Sequence, residues 1–203
     1  MGKEFELDFG EITFENKDYS AKQRVENKMV SKIKKHRFKR EHKISDDIEV
    51  IRKIVLGIKE DEQIDLISKA FDSPSLVLSF LEDIKRLYVA TWAITPAGIS
   101  ALERIVSNGI IEECVVMLDM THSYKWIFQS EAYQILKGKV KFKFLATHAK
   151  YICYELKDGS VINFIGSMNF SNNPRYENIQ VNRDREDFEF YTGFIKNTGG
   201  QTI

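Results

Sequence analysis

The sequence predicts an α/β domain, built on a mostly parallel or mixed β-sheet with helices on both faces and preceded by a charged, partly helical N-terminal extension. Three observations predict it. Between residues 63 and 196, short continuous apolar runs alternate with segments whose apolar residues recur every three or four positions. Gly, Asn-Gly and Asp-Gly fall where those segments must turn. Charge is segregated near the N-terminus, which assigns residues 1–45 to the extension and 46–203 to the domain.

The elements follow in order. Residues 1–30 hold five Lys/Arg against seven Asp/Glu, whereas residues 31–43 hold seven against one, with His36 and His42 in addition. Ala21 to about Lys43 reads as a highly charged helix. Asp46-Asp47 offers an N-cap to a short helix that carries Ile48, Ile51, Ile54 and Val55 on one face and ends near Gly57. Residues 63–68 read as a strand, and Asp72-Ser73-Pro74 opens a helix running to about Lys85. Residues 87–92 form a buried-strand run. Thr95-Pro96 then starts a helix that buries Ile99, Leu102, Ile105 and Val106 and stops at Asn108-Gly109.

Residues 114–118 are apolar without alternation, as expected of a strand covered on both faces. A helix over 123–137 ends at Gly138, and Val140, Phe142 and Phe144 alternate with lysines, so the next strand buries one face. Two strands after His148 are joined by Lys157-Asp158-Gly159-Ser160. A further strand lies near Ile179-Val181, and a helix covers about Arg185 to Lys196.

Composition limits the function. Thirty Lys/Arg balance thirty Asp/Glu, so net charge steers no partner. A hydrophobic share of 43%, with 14 Phe and 8 Tyr, supplies a sizeable core. Cys114 and Cys153 sit in apolar runs and read as buried free thiols of a reducing compartment, in preference to a disulfide. The N-terminus is acidic and lacks a signal-like apolar core, and no apolar stretch reaches membrane-span length. Cytoplasmic location without stable membrane insertion is the expectation.

One stretch carries chemistry: Thr147-His148-Ala149-Lys150, a hairpin, then Gly166-Ser167-Met168-Asn169. Residues two apart on an extended strand share a face, so His148 with Lys150 and Ser167 with Asn169 arrive side by side. An imidazole, an ammonium, a hydroxyl and an amide suit a phosphodiester. His148 can attack phosphorus while the other three hold its oxygens, and Gly166 allows close approach of backbone and substrate.

His-x-Lys, four residues, an acidic position and then Gly-Ser-x-Asn resembles the HKD signature of the phospholipase D superfamily. The resemblance implies that fold, with His148 as nucleophile and Lys150, Ser167 and Asn169 around the phosphate. The loop ending at Glu177 resembles the one that returns a carboxylate to the catalytic histidine in this family. Glu155 stands where the family has Asp, an acid that reads as scaffold. The resemblance covers residues 63–196 in topology and 147–178 in motif detail.

The family mechanism uses two histidines, one forming a phosphohistidine and one protonating the leaving oxygen, and this chain has one motif. A homodimer that places two copies of His148 face to face supplies the second. His122, lacking motif context, reads as a surface or capping residue. Asp119 and His122 lack a third metal ligand nearby, and neither a metal nor a cofactor is expected. Trp92 and Thr95 end a strand where α/β sheets bind ligands, as wall, core or cap residues.

A small single-motif chain resembles the nuclease branch, so DNA or RNA is the expected substrate. Gly166, Arg175 and the basic residues Lys34, Lys35 and Arg37 are the expected substrate contacts, although a solvated helix face also accounts for the basic run. The alternatives are a phospholipid-directed phosphodiesterase and a catalytically silent nucleic-acid-binding member of the same fold.

Overall fold

The computed structural model describes residues 39–45, 47–68, 73–109, 111–172, 175–199 and 201–202. They form β1 (Lys39–Ile44), α1 (Ile48–Leu56), β2 (Glu62–Ser68), α2 (Ser73–Leu78), β3 (Ile84–Thr91), α3 (Pro96–Ser107), β4 (Glu113–Asp119) and α4 (Lys125–Phe128). Then come α5 (Glu131–Leu136), β5 (Val140–Leu145), β6 (Tyr151–Leu156), β7 (Val161–Gly166), β8 (Glu177–Asn182), α6 (Arg185–Asn197) and β9 (Gln201–Thr202).

The strands make one sheet in the order β1-β2-β8-β7-β6-β3-β4-β5-β9. Helical crossovers make β3, β4 and β5 parallel neighbours, and β1 is parallel to β2. Between these groups lies the antiparallel run β6-β7-β8, and β9 closes antiparallel on β5. The sheet is therefore mixed. The β6–β7 hairpin turns at Gly159, whose φ of +83° is a left-handed value open to glycine, and Ser160 bonds back to Asp158.

Burial on both faces explains the unbroken apolar runs of the inner strands. Leu87 and Val89 of β3, with Cys114, Val116 and Leu118 of β4, pack with α1 to α5. The intervening Tyr88, Ala90, Val115 and Met117 join Phe188 and Ile195 of α6 on the opposite face. Asp47 caps α1 by accepting from Glu49 N and Val50 N. The other two expected cap residues, Asp46 and Asp72, lie outside the described residues.

Three element expectations are corrected. Lys39–Ile44, expected as the end of a charged helix, is an edge strand paired with β2 throughout. Its polar side chains stand largely in water, with Lys39 near Asp61 and His42 near Asp65, so the sequence carries no apolar period to separate strand from helix. The helix expected to reach Lys85 stops at Leu78, where the Ser79 hydroxyl donates to Leu76 O and the chain turns around fully buried Phe80. The single helix over 123–137 is two, because Ser130 leaves the helical conformation and caps α5 through Tyr133 N. Two-residue β9 has no sequence signature.

Both cysteines are free and buried. They lie two strands and roughly 10 Å apart, with side chains on opposite faces of the sheet, which excludes a disulfide between them. Burial pushes the Cys114 thiol up to about 12 and the Cys153 thiol well above its ordinary value. Ellman's reagent at pH 8 is expected to find no reactive thiol in native protein and two after unfolding in guanidinium. Prompt reaction of the native protein would contradict this packing.

Candidate active site

Strands β2, β3, β4, β5 and β7 end, and β6 and β8 begin, at one edge of the sheet. Main-chain geometry brings the two halves of the motif together there. Tyr151 pairs with Ile165, and one step beyond, Gly166 N donates to Lys150 O at 3.2 Å. Met168 and Phe170 are buried, which pulls their segment into the core and turns the alternate residues Ser167 and Asn169 away from it.

His148 is exposed, and the ammonium of Lys150 lies 3.1 Å from its Nδ1 and 3.3 Å from its Nε2. An ammonium has only donors, so at most one of the two ring nitrogens can accept from it. Partial burial lowers the Lys150 pKa from its ordinary value, and the Glu177 carboxylate opposes that shift. Asn169 Oδ1 is buried without a hydrogen-bond partner among the described residues, whereas its main-chain oxygen accepts from Ser73 Oγ at 2.5 Å.

Glu177 begins β8 and accepts from the Ser167 hydroxyl, which in turn accepts from Asn178 N at 3.1 Å. Among the described residues, no hydrogen bond joins Glu177 to His148, so the carboxylate reaches the site through Ser167 and its field on Lys150. Arg175 is exposed two residues ahead of Glu177. Glu155 lies at the other end of β6, where it pairs with Arg86 at 3.2 Å and Arg185 at 3.8 Å. It ties β3 to α6 and stands apart from the histidine. Lys34, Lys35 and Arg37 lie outside the described residues.

Asp119, discounted from the sequence as a metal ligand, holds the His148 loop. Asp119 ends β4 almost fully buried and accepts from Thr121 N and Thr147 N, each at 2.8 Å, and from the Thr121 hydroxyl. Burial raises its pKa, but these bonds and the nearby His122 outweigh it, and the net shift is downward. The signal was Asp-Met-Thr at a strand end, the pattern of a side chain bonding its own backbone two residues on. Among the described residues, no group of three His, Cys, Asp or Glu side chains is placed to hold a metal ion.

No family model matches the chain, and no curated protein matches it. Solved structures do. Polyphosphate kinase from Porphyromonas gingivalis superposes with a TM-score of 0.53 at 13% identity, over 72% of this chain and 27% of that one. The fold is shared. This chain spans about a quarter of that larger protein. Nuc, a phospholipase D family member from Salmonella typhimurium, has a TM-score of 0.48 at 17% identity, over 64% of this chain and 89% of its own. NucT from Helicobacter pylori has 0.47 at 19%, over 66% and 94%.

Gly166 serves the packing of β8. A Cβ there would collide with Asn178 O and come within 2.9 Å of Ile179 Cα. Gly166→Ala is expected to displace β8 together with Glu177 and to cost roughly 1–3 kcal/mol of stability, read as a lower urea midpoint at unchanged slope. An unchanged midpoint would show that β8 tolerates the methyl group.

Proposed function

We propose that the chain is a single-motif member of the phospholipase D superfamily, a metal-independent phosphodiesterase that cleaves nucleic acid as a homodimer. The observation that carries this reading is the pairing of Lys150 with His148 and of Ser167 with Glu177 at the end of the sheet where Gly166 N bonds Lys150 O. A phosphate entering there draws the Lys150 ammonium off the imidazole and frees the lone pair. His148 then forms a bond to phosphorus as the bond to the leaving oxygen breaks. The second copy's His148 protonates that oxygen and afterwards takes a proton from the water that releases the phosphohistidine. Lys150 and Asn169 hold the non-bridging oxygens as their charge grows.

Among the described residues, no helix is long and apolar enough to cross a membrane. Two buried free thiols favour a cytoplasmic setting. Purified protein is expected to cleave DNA or RNA in excess EDTA, to leave phospholipid vesicles intact, and to lose all cleavage on His148→Ala. Activity abolished by EDTA and restored by magnesium would sink the metal-independent mechanism. Binding without cleavage would identify a silent member of the fold.

Subunit mixing tests the dimer. Excess His148→Ala chain is expected to silence nearly all wild-type activity, whereas a fully active monomer would contradict the claim. The basic run is proposed as a nucleic-acid arm. Reversing Lys34, Lys35 and Arg37 to Glu should flatten the slope of log K against log salt by nearly three, since each lost phosphate contact removes about one released counterion. An unchanged slope would return the run to a solvated face.

A further inference from the structure

Beside His148 stands an aromatic wall that the phosphodiester chemistry does not use. The indole of Trp92, just past the end of β3, lies with its centroid 5.4 Å from the His148 ring and 4.5 Å from the His122 ring. His122 continues to Tyr124 at 6.1 Å, and Tyr124 to Phe144 at 5.9 Å. His122 Nε2 is buried without a hydrogen-bond partner among the described residues, so at that nitrogen the ring offers no proton to a substrate and acts as a buttress for the indole.

Trp92 is only half-buried, yet its backbone is fixed from several directions. The Tyr124 hydroxyl donates to its carbonyl at 3.0 Å. On its two sides, the Thr91 hydroxyl accepts from Phe170 N at 2.9 Å and donates to Ala93 O at 2.7 Å. Ile94 bridges to Phe170, and a Cβ on Gly98 would lie 2.6 Å from Phe170 O, so α3 and the Gly-Ser-Met-Asn-Phe segment are in closest packing. These ties run from the β3–α3 connection straight to the residue after Asn169. The indole is held in register with both halves of the motif before any substrate arrives, and little ordering remains for binding to impose.

Resting on the nuclease reading above, we infer that Trp92 is a stacking platform for an unpaired nucleobase next to the scissile phosphate, so that the site takes single-stranded nucleic acid. A rigid, partly open indole beside the nucleophile offers a π-face to any base, without sequence preference. Bases in a duplex have both faces covered by their neighbours, and only a single strand presents a free one.

The test uses the full chain carrying His148→Ala and Trp126→Phe, which leaves Trp92 as the sole tryptophan. Its fluorescence is expected to be quenched on saturation with a single-stranded oligonucleotide and unchanged by the matching duplex. Independently, in the His148→Ala protein, Trp92→Ala should weaken single-strand binding by about tenfold and Trp92→Phe by less. An oligonucleotide of abasic residues should bind all three proteins equally, as read by anisotropy of a labelled strand. Binding without quenching, or an equal loss on the abasic strand, would overturn the platform and leave the nuclease reading standing. Failure to bind any nucleic acid would overturn both.

Discussion

The site depends on one piece of backbone geometry, the antiparallel pairing of β6 with β7 carried one step past its last strand pair. Because Gly166 N reaches Lys150 O, the His148–Lys150 segment and the Ser167–Asn169 segment cannot move independently. The hairpin fixes the register, and a slip of one residue would turn every side chain of one strand to the other face. On the other side of β7, β8 comes close enough that residue 166 can carry no side chain, and that approach brings Glu177 to Ser167.

Around this pairing the charged groups divide their labour by position. Asp119 is buried at the site end of β4 and spends its oxygens on Thr121 and Thr147, which fixes the chain directly ahead of His148. Glu155 sits at the far end of β6 and joins Arg86 to Arg185 across the layers. A carboxylate in the motif can thus serve the scaffold, while one outside it holds the His148 loop. The β3–α3 connection is the third support, since Thr91 and Ile94 meet Phe170 immediately after Asn169. The site is therefore constrained from β3, β4, β6, β7 and β8, while the side chains of His148 and Ser167 remain exposed.

Much of this was legible in the sequence. The inner strands declare themselves because both faces are covered, and turns at Asn108-Gly109 and Asp158-Gly159 follow from glycines at positive φ. The His-x-Lys and Gly-Ser-x-Asn segments were expected to meet through the hairpin, and Gly166 N bonds Lys150 O. Apart from the Asp-Met-Thr turn at Asp119, what escaped had no local signal. β1 is an edge strand whose solvated charges imitate a helix face, and the break at Ser130 is decided by a cap and not by periodicity. Pairings set by strand order were equally hidden, among them Asp119 with Thr147 and Thr91 with Phe170, which lie 28 and 79 residues apart. Glu177 was expected to hold His148, and its bonded partner is Ser167.

The account stands on His148 as a nucleophile, and trapping its covalent intermediate is the most direct measurement. Protein mixed with a labelled single-stranded oligonucleotide is quenched in denaturant at alkaline pH, where phosphohistidine persists, and resolved by mass. The account predicts a protein–oligonucleotide adduct at His148 that forms in the presence of EDTA, disappears on mild acid treatment and is absent from His148→Ala. Efficient cleavage with no adduct, or cleavage retained by His148→Ala, would contradict it.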